Sequence, residues 1–168
     1  MRKIFLELLT LCCVFISTPS FSAESVSVSV TGRVESSTCV ISADSRDMTI
    51  TFPDITYERA ATAGTLATQN YKISLSDCPL SQSVVSLKFS GNPDTINPGK
   101  AYANSGTAKN VAVEIVTSNN SEMGNQKSSA LVISNQKTTL NLIASLVSRG
   151  NATAGTILTN VTGEVVYN

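Results

Sequence analysis

The chain, 168 residues long, predicts an all-β fold, an antiparallel β-sandwich. Three observations predict it: apolar residues recur with period two in short runs, clusters of Gly, Pro, Asn, Asp and Ser separate those runs, and no run keeps helical period for three turns.

The runs follow one another in order. Met48, Ile50 and Phe52 form the first after Cys39, and Tyr71, Ile73 and Leu75 the second. Val85, Leu87 and Phe89 form the third, and Val111, Val113 and Ile115 the fourth. Leu140, Leu142, Ala144 and Leu146 make the fifth, and Ile157, Val161, Val165 and Tyr167 the last. Each has the apolar-in, polar-out signature of a half-buried strand. GNPDTINPG (Gly91 to Gly99) and SNNSEMGNQ (Ser118 to Gln126) supply turn chemistry between them. Glu58 to Gln69, rich in Ala and Thr, leaves room for a short turn of helix. There is no internal repeat and no linker.

A further strand precedes the first cysteine. In SVSVSVTGRV (Ser25 to Val34), Val26, Val28, Val30 and Val34 share one face with Gly32 in step, and the other face is Ser25, Ser27, Ser29, Thr31 and Arg33. A strand this regular, attached at one end only, is suited to insertion into another surface. It points to assembly rather than catalysis.

The first residues read as an export signal. Arg2 and Lys3 form a basic segment and Ile4 to Ile16 an apolar one interrupted by Glu7 and Thr10. That stretch is shorter than the roughly 20 apolar residues a bilayer span takes. Ser20-Phe21-Ser22 supplies small residues at the two positions a signal peptidase inspects, so residues 1–22 are expected to be removed and the mature protein to be exported and soluble. Residues 23–168 suit one domain with a sizeable core. With 12 basic and 12 acidic residues in all, the charge balance suggests neither nucleic acid nor an anionic membrane surface as a partner.

Cys12 and Cys13 lie in the signal, which leaves Cys39 and Cys78. An even pair in an exported protein is expected to form a disulfide. Closing a loop of about 40 residues contributes roughly 3.5 to 4 kcal/mol in the chain-entropy model.

Histidine is absent, which removes most hydrolytic triads, nearly all zinc sites and the usual general base at neutral pH. Asp44, Asp47, Asp54, Glu58, Asp77, Asp94, Glu114 and Glu122 are scattered and mostly sit beside turns. They read as solvated surface rather than as a glycosidase pair. No phosphate loop or calcium loop pattern occurs, no cofactor is implied, and no enzyme is expected.

An immunoglobulin domain of the antibody type would place its second cysteine late, with a tryptophan between the two and a tyrosine two positions before the second. Here Cys78 lies near mid-chain, tryptophan is absent and Ser76 precedes Cys78 by two. The disulfide is therefore expected to join early strands.

Taken in order, several motifs carry a family resemblance. They are the signal, the alternating arm with Gly32, the pair Cys39 and Cys78 with SLSDCP around the second, KFSG (Lys88 to Gly91), SGTAKNV (Ser105 to Val111), and the ending ATAGTILTNVTGEVVYN with Tyr167 penultimate. Together they resemble a pilin subunit of the chaperone–usher class, type 1 fimbrial group, over the whole chain. The resemblance implies an incomplete immunoglobulin-like sandwich lacking its last strand, with an apolar groove beside the C-terminal strand. A periplasmic chaperone fills that groove first, and at an outer-membrane usher the N-terminal arm of another pilin subunit replaces it.

On that resemblance, residues 23–37 are the donor-strand extension and residues 38–168 the pilin domain. Val26, Val28, Val30, Gly32 and Val34 form the donated face. Val30 matches the arm residue that engages first, Gly32 the small residue, and Val34 the next insert. Ile157, Val161, Val165, Tyr167 and Asn168 line the acceptor groove and meet the chaperone. Gly163 departs from the pattern, standing where an apolar inward residue is expected, and is expected to weaken or kink the last strand. The alternatives are a self-complemented secreted carbohydrate-binding module that folds its own arm back, or an enzyme using scattered carboxylates. A self-complemented monomer would be stable alone and would not form ladders.

Overall fold

A computed structural model describes residues 38–167. The export signal, the arm with Val26, Val28, Val30, Gly32 and Val34, and Asn168 lie outside the described residues.

Among the described residues, eight strands and two short helices follow in chain order. They are β1 (Val40–Ile41), α1 (Ala43–Arg46), α2 (Tyr57–Ala61), β2 (Gly64–Ser76), β3 (Val84–Gly91), β4 (Ala101–Ala103), β5 (Val111–Thr117), β6 (Ser128–Val132), β7 (Thr138–Ser148) and β8 (Val161–Tyr167). A five-stranded sheet has the order β1-β2-β7-β5-β4 and a three-stranded sheet the order β6-β3-β8. Every pairing is antiparallel.

The alternating runs explain the longer strands. In β3 the buried positions are Val85, Leu87 and Phe89, while Ser86, Lys88 and Ser90 face outward. In β5 and β7 the inward set is Val111, Val113 and Ile115 with Leu140, Leu142, Ala144 and Leu146. These faces meet between the sheets in one core that also takes in Leu66, Leu75, Tyr102 and Met123. The Tyr102 ring is fully buried, and its hydroxyl donates to the Met123 carbonyl at 2.9 Å, so its one polar atom is satisfied.

Cys39 and Cys78 are bonded, at a sequence separation of 39. Cys39 immediately precedes β1 and Cys78 follows the end of β2, so the disulfide fastens the short first strand to the second.

Two expectations change and a third, the short helical turn, is met. Met48, Ile50 and Phe52 form no strand: residues 47–55 make no backbone hydrogen bond to another described residue, although the half-buried and exposed positions alternate as expected. Alternation sets which side chains turn inward, but a strand also needs a ladder partner. The helical turn near Glu58 is α2 and stops at Ala61, and the rest of that region is β2. The last strand begins at Val161, leaving Ile157 on an irregular segment before it.

Burial raises the pKa of Tyr102 to about 12. It raises that of Tyr71 further, the nearby Tyr102 adding to the effect. An unfolded tyrosine ionises near pH 10. Above that pH the unfolded chain loses protons that the folded chain keeps, so this contribution to stability is complete below pH 10 and is lost as pH rises through the folded values. Urea midpoints recorded from pH 9 to 11.5 are expected to fall above pH 10, and to fall less steeply in Tyr71→Phe. A midpoint that stays level across that range would contradict the assignment.

Candidate functional site: an open strand edge beside an apolar groove

β8 lies at the edge of its sheet. Its ladder to β3 pairs Val161 with Gly91, Gly163 with Phe89, Val165 with Leu87 and Tyr167 with Val85, and no described strand pairs with its other side. The inward face of β8 is therefore Val161, Gly163, Val165 and Tyr167.

Beside this edge the two sheets enclose a cavity of about 990 Å³. Its floor is core: Leu66, Tyr71 and Ile73 from β2, Leu87 and Phe89 from β3, and Val113 and Ile115 from β5. One wall is the irregular stretch Met48 to Ile55, which makes no backbone bond to another described residue and forms a lip of the cavity with Ile50 and Phe52 in its lining. The far rim is Ala152 to Asn160, including Ile157, and Val161 and Gly163 complete the β8 side. A second hollow, about 480 Å³, continues at the other end of β8, between Val165, Tyr167, Cys39 and Ile41.

The rim is held in place by backbone contacts with the SGTAKNV segment. Ser105 N–H donates to the Leu158 carbonyl at 2.8 Å, Ala108 N–H to the Thr156 carbonyl at 3.1 Å, and Leu158 N–H to Asn104 Oδ1 at 2.7 Å. Two glycines permit this approach. A Cβ on Gly106 would collide with the Thr156 carbonyl, and Gly155, with φ near +155°, stands against the Ala108 amide.

Four of the residues singled out from sequence fall on these surfaces. Ile157 and Val161 line the large cavity, whereas Val165 and Tyr167 line the second hollow. Tyr167 has a bond that the sequence did not suggest: Cys39 N–H donates to its hydroxyl at 2.6 Å. The ring thus ties the end of β8, in one sheet, to the start of β1, in the other. Gly163 neither kinks nor interrupts β8, because the ladder continues through it in register. A Cβ at Gly163 would meet the Phe89 ring at 3.8 Å, an ordinary van der Waals contact, so the glycine is not required there by lack of space.

Missed from sequence were the lip at residues 48–55 and the floor residues. The strict alternation of Met48, Ile50 and Phe52 was the available signal, and it was read as a strand. Among the carboxylates, Asp94 pairs with Arg149 at 2.7 Å and also accepts the Ile96 and Asn97 amides, and Glu114 pairs with Lys100 at 2.8 Å. They tie the loop before β4 to the outer face of the larger sheet.

Residues 28–168 match the family model described as fimbrial protein. The chain belongs to the fimbrial protein family. Among the relatives of this fimbrial subunit, the fimbrial-like protein YdeR of Escherichia coli K12 is 30% identical over 163 residues, covering 94% of this chain and 92% of that protein. FimG of the same strain is 28% identical over 146 residues, 84% of each chain. Two solved structures share the fold. A chaperone–usher pilus subunit superposes with a TM-score of 0.67 at 17% identity, covering 90% of this chain and all of that one. The P pilus rod subunit PapA gives 0.67 at 18% identity, covering 79% of this chain and all of that one. The fimbrial subunit thus has the incomplete immunoglobulin-like sandwich expected of a pilin.

The Tyr167 bond leads to a test. Tyr167→Phe keeps the ring but leaves the amide of buried Cys39 without its partner, which is expected to cost about 1 to 3 kcal/mol. Urea unfolding measures the loss, and a variant as stable as the parent would show that the hydroxyl does not tie the two sheets.

Proposed function

We propose that this fimbrial subunit is a structural unit of a chaperone–usher fimbria that polymerises by donor-strand exchange. Its residues 23–37 fill the groove of a neighbouring subunit, and its own groove receives the arm of another. The observation that carries this reading is the edge of β8 that no described strand covers, beside an apolar cavity of about 990 Å³, together with an arm in the same chain whose apolar positions alternate.

The two halves are physically complementary. A guest strand would pair with the free side of β8 through backbone hydrogen bonds, while alternate side chains enter the cavity and complete the core. Full burial of Val26, Val28, Val30 and Val34 would contribute roughly 6 to 12 kcal/mol as an upper bound. Ile157 and Val161 would contact the guest at the rim, and Val165, Tyr167 and Asn168 would contribute at the far end of β8.

An uncovered edge over an apolar cavity invites aggregation, so a periplasmic chaperone would occupy it first and an outer-membrane usher would be the place of exchange. With residues 1–22 removed on export, the subunit would pass through the periplasm to the cell-surface fimbrium. The role is assembly, with no catalytic residue and no cofactor.

A synthetic peptide of residues 23–37 tests the reading when added to chaperone-bound subunits. It is expected to displace the chaperone and raise the melting temperature, and a Gly32→Leu peptide is expected to do so far less well, since overpacking costs about 1 to 3 kcal/mol. Equal displacement by both peptides would remove the size filter from Gly32. Failure of both would refute donor-strand exchange, and a stable arm-bearing monomer that never forms ladders would favour self-complementation.

A further inference from the structure

The two hollows beside β8 meet at Gly163. Of the inward residues of β8, Val161 lines the large cavity and Val165 the second hollow, whereas Gly163 lines both, and so does Ile41 of β1. The passage between the hollows therefore has a glycine of the smaller sheet on one side and an isoleucine of the larger sheet on the other. Phe89, the ladder partner of Gly163 and a lining residue of the large cavity, brings its ring to the same point.

Nothing in the described structure requires a glycine there. Its φ is not in the positive range, and the ladder to β3 passes through it without a shift of register. Among the described residues a Cβ at this position would meet the Phe89 ring alone, at 3.8 Å, an ordinary contact. Inward positions of a half-buried strand carry apolar side chains. Val161, Val165 and Tyr167 do so and are half-buried, but Gly163, which shares their face, is exposed. What the glycine provides is room beside the Phe89 ring.

A guest strand on the free side of β8 would set one of its inward side chains next to Gly163, with Cα and Cβ positions about 4.5 to 5.5 Å apart across the pair. A large ring on the guest can lean over a glycine of its neighbour and cover it, the aromatic rescue known for strand glycines. Here that ring would also meet Phe89, forming an aromatic pair. The chain's own arm has no such group. Its inward positions are Val26, Val28, Val30, Gly32 and Val34, and none exceeds valine in size.

We propose that Gly163 determines which arm this groove prefers: one with a phenylalanine at the position that crosses Gly163, supplied by a different pilin chain rather than by a further copy of this one. The inference rests on the donor-strand reading above and adds to it the chemistry of the preferred donor.

Competition between peptides tests it. Equimolar mixtures of the natural 23–37 peptide with one of Val26→Phe, Val28→Phe, Val30→Phe or Val34→Phe are offered to the chaperone-bound subunit, Gly32 being kept as the arm's small residue, and the captured ratio is read by mass spectrometry. One substituted peptide is expected to be captured about tenfold over the natural one, the scale of an added aromatic pair with the apolar area it buries. The other three are expected to gain nothing. On Gly163→Val, whose side chain takes up the room, the preference is expected to vanish. Gly163→Ala, which adds the Cβ alone, gives the same comparison at smaller amplitude should the valine variant not fold. Capture of the natural peptide with no preference for any of the four would overturn the proposal and leave donor-strand exchange standing. A preference that survives on Gly163→Val would put the room elsewhere in the groove and overturn it too. Failure of every peptide, the natural one included, would remove both readings. In the full chain the winning substitution is expected to speed self-assembly by a similar factor, and unchanged assembly would contradict a preference for a donor other than this chain's own arm.

Discussion

Among the described residues β8 has hydrogen-bond partners along one side only, and the rest of the described domain is arranged around that imbalance. Backbone N–H and C=O groups facing neither protein nor a partner strand must be solvated or covered. The inward side chains of β8, meanwhile, belong to a core that the smaller sheet is too narrow to close. A five-stranded sheet faces a three-stranded one, and the difference in width appears as the apolar cavity.

Contacts are concentrated where the groove needs walls. The disulfide fastens the start of β1 to the end of β2, and the Tyr167 hydroxyl ties the same point to the end of β8, which links the two sheets there. Before β8 begins, the glycine-permitted approach of Ser105–Ala108 to Thr156–Leu158 holds the rim without any regular strand. The ladder to β3 runs through Gly163, opposite Phe89, without a shift of register. The SGTAKNV motif and the GTIL stretch, separate in sequence, are two halves of one latch.

Most of the sandwich was legible because its central strands are half-buried and alternate strictly: Val85, Leu87 and Phe89, or Leu140, Leu142, Ala144 and Leu146, admit few other readings. Strands β4 and β6 were not legible. Ala101-Tyr102-Ala103 is too short to show a period, and Ser128 to Val132 lies at a sheet edge where only one of five positions is buried. Met48, Ile50 and Phe52 show the opposite case, a correct inward pattern without a strand, since side-chain period carries no information about whether a ladder partner exists. Ile157 and Val161, singled out in the sequence, line the cavity. The Cys39–Tyr167 bond was not foreseeable, because it joins residues 128 positions apart through a backbone amide, which every residue but proline carries.

The central claim is that a second subunit's strand occupies the free side of β8. Hydrogen exchange of β8 amides in assembled polymer measures this most directly, with β3 as an internal standard because it is paired on both sides. The account predicts that all the β8 amides, including the alternate ones that do not bond to β3, exchange as slowly as those of β3. If those alternate amides exchange in the polymer as fast as amides of the exposed turn at residues 119–121, no strand lies against that edge and the account is wrong.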